Sequence, residues 1–548
     1  MPELILLFII VSAISPLSLA LYIVLRILLN HSPFVKGQGV LYIAGLGLIL
    51  LAAGILLKPH VVPWEFLKMG LASIPALGDT LQLSYTPMPW MRYVFSDPIS
   101  IGISLMLLAI SGKGSTQTSE KQLLFFENMK ENRKYNKLFK KDIDVVPLRS
   151  TCIFGVSGAG KSAYLARQTY DTVAKGGNPF IVLVDGKGSV EQFSLHYSAQ
   201  IIAKKFGLKL RIINGTANDS LGGTVYDFLE GIKIPNQAKD MIMALIEDDT
   251  VQESSGSQHY RVLTEAYMER VIQFMMQHDI RVTLSNVVKL MKPENFTAYC
   301  NQQQIPAEAT MEIKEYMKKN WQDVSASVTK LELFLGDQGK KIFTSAGGDE
   351  TTNLRKAYQN GEMVLVLADE MSMPQLVQGL VKVVAMDLRQ LTALRLTNQI
   401  DMDRMIYATF DEFTSYTSAL PTLRSMFARA RSADCVITLA TQSISDITAM
   451  EGNWFQSLVN TADRFVIFRQ HGSESPEEAA GLLGTEMHVT MTSRTSDAVI
   501  SGEASNTIDR QYIIHPDFIR ELPANTGILL DKKKGELAIF KNKFISED

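Results

Sequence analysis

Three long apolar segments stand near the beginning of the chain, and each has the composition of a membrane-spanning helix. Leu4–Leu29 contains 26 residues, interrupted by serines, Pro16 and Arg26. At about 1.5 Å per residue it is long enough to cross a hydrocarbon layer of about 30 Å. Val40–Leu57 is an uncharged run of 18 residues, whereas Val94–Ile110 is shorter and also suits an interfacial or packed helix. The pattern predicts a membrane anchor with two or three spans.

The basic residues that follow the third segment predict the orientation of this anchor. Lysines and arginines are frequent between residues 113 and 141, which favours a cytoplasmic location for everything from about residue 112 onward. With three spans, which we favour, the amino terminus and the loop around 58–93 lie outside the cytoplasm. With two spans, both lie inside. A cleaved signal peptide is disfavoured, because the chain opens Met-Pro-Glu rather than with a basic segment.

A short apolar strand leads into a glycine-rich loop and then into an amphipathic helix. The strand Ser150–Phe154 is followed by Gly155–Ser162, which has the pattern GxxxxGKS. Glycines let consecutive backbone N–H groups point inward toward an anion, and the helix N-terminus adds partial positive charge. In such a loop Lys161 contacts the β- and γ-phosphates and the Ser162 hydroxyl binds Mg²⁺. The residues predicted to contact a nucleotide here are Gly155, Ser157, Gly158, Ala159, Gly160, Lys161 and Ser162.

Acidic residues follow the ends of two further apolar strands. The run Phe180–Val184 ends in Asp185, and the run Arg404–Phe410 ends in Asp411 and Glu412. Strand ends of a parallel sheet line a nucleotide crevice, so Asp185, a candidate cofactor-binding residue, and Lys187 are candidate site residues, although a plain turn explains both equally well. Asp411 would hold Mg²⁺, and Glu412 would orient and polarise the attacking water. The pair therefore predicts the hydrolytic part of the site.

The segment that follows Asp411 distinguishes it from a second apolar run ending in Asp369 and Glu370. It contains a predicted helix, Leu423–Arg431, and then a strand that ends just before Gln442. A glutamine at a strand end beside the acidic pair can sense the γ-phosphate and the water. An arginine of the helix could reach the nucleotide of a neighbouring subunit, although a solvated helix surface is the alternative.

A helical pattern fills the chain between the two groups of motifs. Lys161 and Asp411 are 250 residues apart, more than a doubly wound core needs between them. Apolar residues at helical spacing in Gln258–Gln277 and Ala307–Lys319 predict an inserted all-α domain. Residues 228–341 contain 13 lysines and arginines against 16 acidic residues. This charge does not by itself indicate DNA binding.

The overall composition limits the possible functions further. The 548 residues carry a formal net charge of −3 and a mean hydropathy of +0.06. Nearly all charges lie after residue 110, which excludes a uniformly soluble protein and a transporter with apolar segments along its whole length. A near-neutral charge excludes a generic polycation, so DNA binding would depend on local patches. The widely separated Cys152, Cys300 and Cys435 predict reduced thiols, without a disulfide or a zinc site.

Taken in order, these motifs resemble those of the type IV coupling proteins, the TraD/TraG-type ATPases of conjugation and type IV secretion. The resemblance covers most of 150–545. It includes the loop Gly155–Ser162, the turn Asp185–Gly188, the acidic pair at Asp411, the stretch from Arg431 to the glutamine strand end, and the late run Tyr512–Pro523. The ordered set is more specific than any one of its motifs.

The resemblance implies a fold and a location. The expected fold is α/β: a RecA-like P-loop ATPase domain with an inserted all-α domain and an N-terminal transmembrane helical anchor. The expected location is the bacterial inner membrane, with several spans and the ATPase domain in the cytoplasm. The domains it implies are an anchor at 1–111 with a periplasmic loop around 58–93, an ATPase domain at 112–227 and 349–548, and the all-α domain at 228–348.

The resemblance also implies roles for individual residues, with ATP and Mg²⁺ as cofactors. The implied catalytic residues are Lys161, Glu412, Gln442 and Arg431, and the implied Mg²⁺ ligands are Ser162 and Asp411. Arg431 receives its role because it stands where the family's finger arginine stands relative to the glutamine. Two features depart from the family: Ala433–Asp434 replaces a usual glycine, and there is a third apolar segment where two spans are usual.

The function that the resemblance implies is a membrane-anchored, hexameric ATPase that delivers DNA, protein or both to a type IV secretion channel. Implied partners are a relaxase or relaxosome, or effector–adaptor complexes, together with DNA, channel subunits and membrane lipid. An FtsK/HerA-like translocase of double-stranded DNA is the alternative, and it predicts a longer linker and a winged-helix end. A non-enzymatic scaffold is disfavoured, because the residues of the phosphate loop and the acidic pair are intact.

Overall fold

A computed structural model describes residues 125, 129 and 133–545, except 147, 192–193, 247–254, 345–349, 402, 451 and 497–498. The three apolar segments at 4–29, 40–57 and 94–110 lie outside the described residues, so the predicted anchor stays a prediction. Within the described part, none of the helices combines the length and the apolar character that crossing a membrane requires.

Strands and helices alternate through most of the described chain. The strands are β1 Phe139–Lys140, β2 Thr151–Phe154, β3 Phe180–Asp185, β4 Leu210–Gly215, β5 Val225–Tyr226, β6 Thr351–Thr352, β7 Met363–Ala368, β8 Ile406–Phe410, β9 Cys435–Thr441, β10 Arg464–Ile467, β11 Thr485–Ser496, β12 Val499–Tyr512, β13 Thr526–Asp531 and β14 Glu536–Lys541. The helices are α1 Arg133–Leu138, α2 Lys161–Ala174, α3 Leu195–Phe206, α4 Pro235–Met243, α5 Ser255–Gln277, α6 Leu284–Leu290, α7 Pro293–Gln302, α8 Ala307–Phe334, α9 Asp337–Phe343, α10 Leu354–Asn360, α11 Pro374–Leu396, α12 Leu420–Arg429, α13 Ile444–Thr448, α14 Trp454–Thr461, α15 Glu474–Leu483 and α16 Pro516–Glu521.

Ten of these strands form one sheet in the order β1-β14-β13-β10-β2-β9-β8-β3-β7-β4. The seven strands from β10 to β4 are parallel to one another, and β13 is antiparallel to both of its neighbours. Strands β3, β7 and β8 are buried along their whole length. Uninterrupted apolar runs form such strands because helices cover both faces of a parallel sheet. The predicted α/β class is confirmed.

The strand order brings four sequence motifs to one edge of this sheet. Strands β2, β9, β8 and β3 are consecutive neighbours and parallel. Their carboxyl ends therefore lie side by side, and the segments that follow them meet there. These segments are the glycine-rich loop after β2, Gln442 after β9, the acidic pair after β8 and the turn that follows Asp185 at the end of β3. We call this side of the sheet, where the parallel strands have their carboxyl ends, the carboxyl edge.

The described residues between α4 and α9 are mostly helical, as the sequence pattern predicted. The expected helices at 258–277 and 307–319 lie within α5 and α8, and α8 continues to Phe334. Helix α5 also contacts the segments that follow it: the hydroxyl of Tyr267 donates a hydrogen bond of 2.8 Å to the carbonyl of Met291, and Phe274 contacts Phe296 of α7. The short parallel strands β5 and β6 pair on either side of this segment. The domain boundaries at 227/228 and 348/349 stay predictions.

Two antiparallel pairs complete the carboxyl-terminal part. Strands β11 and β12 form a long hairpin of their own, and β13 and β14 extend the main sheet beyond β10. The loop that joins α16 to β13 contains Asn525, whose backbone N–H donates a hydrogen bond of 2.8 Å to the carbonyl of Ala159. The segment between α16 and β13 therefore contacts the glycine-rich loop.

Candidate nucleotide-binding site

The glycine-rich loop joins β2 to α2, in the order that the sequence predicted. The N–H of Gly155 donates a hydrogen bond of 3.2 Å to the carbonyl of Thr441, which anchors the loop to β9. Gly158 and Gly160 have φ angles of 74° and 120°, which residues with a Cβ rarely adopt. The exposed Ser157 and the buried Ala159 complete the turn. The loop thus has the backbone that a phosphate cradle requires.

Asn525 holds this loop from the carboxyl-terminal side, a contact that the sequence did not indicate. A Cβ at Gly160 would lie 2.8 Å from the Oδ1 atom of Asn525 and 3.0 Å from its Cα atom. Asn525 itself has a φ of 60°, a conformation that asparagine tolerates better than most residues. The close approach therefore explains why the last loop position before α2 is a glycine.

Lys161, the first residue of α2, lies almost fully buried at the carboxyl edge. Its Nζ atom donates a hydrogen bond of 2.5 Å to the carbonyl of Gly155 and lies 3.4 Å from the Oε1 atom of Glu412. Burial lowers the pKa of this ammonium group, while the carboxylates of Glu412 and Asp411 raise it. The ammonium group is oriented toward the loop in which phosphates would bind.

Ser162 and Asp411 are 249 residues apart in the chain and meet in the site. The Oγ atom of Ser162 lies 3.4 Å from the Oδ2 atom of Asp411. Burial, together with the neighbouring Glu412, raises the pKa of Asp411 to about 6. A hydroxyl and a carboxylate are oxygen ligands of the kind that Mg²⁺ prefers, and Mg²⁺ usually takes only one or two protein ligands beside phosphates and water. The donor set fits Mg²⁺.

Three groups surround a single carboxylate oxygen of Glu412. Its Oε1 atom lies 3.4 Å from the Nζ atom of Lys161, 3.4 Å from the Nζ atom of Lys187, and 3.3 Å from the Nε2 atom of Gln442, which donates a hydrogen bond. The backbone of Glu412 has a φ of 53° and a ψ of 40°, directly after β8. A non-glycine residue in this left-handed region often marks a functional turn. The carboxylate is thus held by side chains from the segments that follow three different strands, β2, β3 and β9.

Asp185 ends β3 beside this cluster. Its Oδ1 atom accepts a hydrogen bond of 3.0 Å from the N–H of Lys187, and its buried Oδ2 atom has no hydrogen-bond partner. Burial, together with the nearby charge of Asp411, raises the pKa of Asp185 to about 7. Its carboxylate therefore orders the turn that carries Lys187 and leaves one acceptor for a further group.

Gly186 allows this turn to pack against the acidic pair. A Cβ at Gly186 would lie 2.8 Å from the carbonyl oxygen of Asp411 and from the hydroxyl of Tyr416, and 2.9 Å from the Cβ atom of Glu412. The hydroxyl of Tyr416 is buried without a hydrogen-bond partner. The sequence indicated Gly186 only as part of the turn Asp185–Gly188, and it did not indicate Tyr416. Only the neighbouring positions of β3 and β8 in the sheet reveal them.

Arg431 lies just before β9, at the amino ends of the parallel strands and so opposite the carboxyl edge. It is part of a 3-10 turn, Ala430–Ala433, because α12 already ends at Arg429. Its guanidinium donates a hydrogen bond of 2.6 Å to Asp463, which directly precedes β10. The length of β9, about 20 Å at 3.3 Å per residue, separates Arg431 from the carboxyl edge. The structure therefore does not bring Arg431 to the site of its own chain.

The second acidic pair, Asp369 and Glu370, is also separate from the phosphate loop. It follows β7, which lies beyond β3 as seen from β8. Asp369 accepts a hydrogen bond of 2.6 Å from the hydroxyl of Ser372, and Glu370 accepts one of 2.8 Å from Gln378. These contacts are local, so the choice of Asp411 and Glu412 as the pair beside the loop agrees with the geometry.

Known proteins resemble this chain in part of its sequence and in its fold. A family profile described as "TraM recognition site of TraD and TraG" matches residues 405–524. No curated protein sequence matches the chain. The structure is similar to that of the bacterial conjugative coupling protein TrwBdeltaN70 in an unbound form, with 15% identity, a TM-score of 0.51, and 73% of this chain and 85% of that chain covered.

Two further solved structures are similar. One is the plasmid coupling protein TrwB in complex with the non-hydrolysable ATP analogue ADPNP, with 15% identity, a TM-score of 0.50, and 73% of this chain and 86% of that chain covered. The other is VirB4 of Thermoanaerobacter pseudethanolicus, with 13% identity, a TM-score of 0.45, and 72% and 90% covered. At this identity the TrwB likeness shows the fold, a mixed α/β domain built on a large, mostly parallel sheet.

Proposed function

We propose that this chain, a relative of the TraD and TraG coupling proteins, is an ATPase that recruits DNA–protein or protein substrates and drives them to a type IV secretion channel. The profile match over residues 405–524 confirms the resemblance that the order of the motifs predicted. The observation that carries the enzymatic part is the meeting of Lys161, Ser162, Asp411 and Glu412 at one sheet edge. A scaffold protein would have no need for this cluster.

The chemistry that these side chains support is hydrolysis of the bond between the β- and γ-phosphates. The loop N–H groups and Lys161 would hold the phosphates, and Ser162 and Asp411 would hold Mg²⁺, which would neutralise charge on the phosphate oxygens. Glu412 takes a proton from the water that attacks the γ-phosphorus, and the bond to the leaving oxygen of ADP breaks. Gln442, bonded to Glu412, is positioned to orient that water.

The position of Arg431 supports catalysis between subunits. Its guanidinium is 56% exposed and lies an entire strand length away from its own phosphate loop. An arginine that stabilises the transition state must approach the γ-phosphate, so Arg431 would act on the nucleotide of a neighbouring copy. This arrangement suits a ring, and a homo-hexamer is the assembly that we propose.

Cargo and membrane attachment complete the proposal. The description of the matching profile names TraM recognition by TraD and TraG, which supports a relaxosome partner for this chain. DNA, effector–adaptor complexes, channel subunits and lipid are the further partners that we propose. The anchor at 1–111 would place the ATPase domain, 112–227 and 349–548, on the cytoplasmic side of the inner membrane, with the all-α domain at 228–348 inserted into it.

Nucleotide hydrolysis by the full-length chain in detergent tests the enzymatic part. The wild-type chain should hydrolyse ATP only with Mg²⁺, and Lys161→Ala should lose binding and hydrolysis. Lys534→Ala is the matched control, because Lys534 is a partly exposed lysine at the opposite sheet edge, paired with Asp144. Wild-type protein that binds no ATP would refute the proposal. Crosslinking in the host, followed by identification of the bound proteins and nucleic acids, tests the cargo.

A further inference from the structure

We propose that Lys187 is a positioning residue for hydrolysis: it holds the carboxylate of Glu412 in place when the nucleotide draws Lys161 away. This inference rests on the proposed function and gives a specific role to a residue that the sequence indicated only as a candidate of the site. Its basis is the pair of cations that share one oxygen of Glu412, each at 3.4 Å. When ATP binds, Lys161 would contact the phosphates, whereas Lys187 would remain paired with Glu412.

Lys161 cannot serve as the partner of Glu412 throughout the reaction. Its ammonium group is the one that contacts the β- and γ-phosphates in a loop of this type. It is 3% exposed and already bonded to the carbonyl of Gly155, so it has little freedom to serve the phosphates and Glu412 together. Once the phosphates bind, Glu412 retains Lys187 and Gln442 as its partners.

Lys187 reaches Glu412 from a turn whose position is fixed. The N–H of Lys187 donates to the Oδ1 atom of Asp185, an Asx turn that sets the direction in which the side chain leaves the backbone. Gly186 brings the same turn into contact with Glu412, because any Cβ there would lie 2.9 Å from the Cβ atom of Glu412. The lysine side chain is 37% exposed, whereas that of Glu412 is 8% exposed. The ion pair thus lies at the mouth of the site.

The two lysines therefore have different roles in hydrolysis. Lys161 holds the phosphates, and Lys187 keeps the carboxylate of Glu412 directed at the attacking water. A general base that is not held within reach of the water loses most of its effect, because such catalysis depends on geometry before pKa. Removing Lys187 should therefore slow hydrolysis without weakening ATP binding.

The test compares steady-state hydrolysis and ATP binding for the full-length chain and its Lys187→Met variant. We expect kcat to fall roughly tenfold to a hundredfold, with KM and the Kd for ATP within about twofold, because general-base catalysis contributes about 10²–10⁴. Lys187→Arg should recover most of the rate, within about fivefold of wild type, because a guanidinium can also pair with a carboxylate. Lys534→Met, equally exposed but at the other sheet edge, should change nothing.

A second comparison separates positioning from direct contact with the nucleotide. In a Glu412→Gln background, which binds ATP without hydrolysing it, adding Lys187→Met should leave the Kd for ATP unchanged within about twofold, because Lys187 acts on the carboxylate and not on the nucleotide. An unchanged kcat in Lys187→Met, or a loss that appears in KM and Kd, would overturn the inference while leaving the ATPase itself established. If the wild-type chain fails to hydrolyse ATP, the proposed function fails instead.

Discussion

The hydroxyl of Ser162 lies 3.4 Å from a carboxylate oxygen of Asp411, although 249 residues separate them in the chain. Ser162 lies in the first turn of α2, directly after the phosphate loop, and Asp411 directly follows β8. Their meeting is a direct result of the strand order. Only β9 lies between β2 and β8, so the carboxyl ends of β2 and β8 are close together. The two oxygens define where Mg²⁺ would bind.

Ser162→Ala should therefore raise the Mg²⁺ concentration needed for half-maximal hydrolysis by roughly tenfold or more, in line with the loss expected when a group supporting a metal is removed. Titrating Mg²⁺ at saturating ATP measures this. Ser162→Thr keeps the hydroxyl and should behave like wild type. An unchanged Mg²⁺ requirement in Ser162→Ala would remove Ser162 from the metal site.

Asp185→Asn should stabilise the ligand-free protein at pH 8. The native pKa of Asp185, about 7, lies above the unfolded value of about 3.9, so between these values the native state binds more protons than the unfolded state and stability falls as pH rises. The amide removes this cost, so the midpoint of thermal unfolding should rise at pH 8.

The same variant should show no stabilisation at pH 4, where the wild-type carboxyl is already protonated in the native state and the cost disappears. Thermal unfolding scans at the two pH values provide the comparison. A lower midpoint for Asp185→Asn at pH 8 would show that the carboxylate of Asp185 is stabilised rather than penalised in the fold.

Gly186→Ala should impair both stability and hydrolysis. The new Cβ would lie 2.8 Å from the carbonyl oxygen of Asp411, a backbone atom that cannot move without displacing the acidic pair. Overpacking of this kind costs about 1–3 kcal/mol. Chemical denaturation and hydrolysis assays measure the two effects. Gly481→Ala is the matched control: nothing lies near its Cβ and it stands inside α15, so this variant should be as stable as wild type or more so.

Arg431→Ala should bind ATP normally and lose hydrolysis, because its guanidinium belongs to no site of its own chain and would act on a neighbour's nucleotide. The ion pair with Asp463 is largely exposed on the arginine side, so its loss should cost less than about 1 kcal/mol of stability. Mixing Arg431→Ala with Lys161→Ala subunits should restore part of the hydrolysis. Mixtures as inactive as either variant alone would argue against a finger that acts between subunits.

Local patterns were enough to predict the phosphate loop, because the strand, the glycines and the start of α2 are contiguous in sequence. The acidic pair was harder, since Asp369 and Glu370 follow an equally apolar strand. The sequence separated the two pairs only through the helix and the glutamine strand end that follow Asp411. In the structure they differ because β8 is two positions from β2 in the sheet, whereas β7 is four positions away. That spacing depends on the whole topology rather than on the residues near either pair.

The contacts of Asn525 with Gly160, and of Lys187 with Glu412, were beyond sequence reasoning for the same reason. Each joins segments that are distant in the chain and adjacent in the sheet. The helical segment between α4 and α9 was predicted in outline, because apolar residues at helical spacing are a local signal. The sequence did not predict that α12 ends before Arg431, because an α-helix and a following 3-10 turn place their side chains at nearly the same intervals along the chain.

DNA or protein transfer by cells that produce the Glu412→Gln variant tests the central claim most directly. The site geometry predicts a chain that still binds ATP and reaches its normal level in the cell, yet hydrolyses no ATP and supports no transfer. Wild-type protein supplied in parallel should restore transfer. Transfer at the wild-type rate by the hydrolysis-deficient variant would contradict the account, because the cluster at the carboxyl edge would then not drive the movement of cargo.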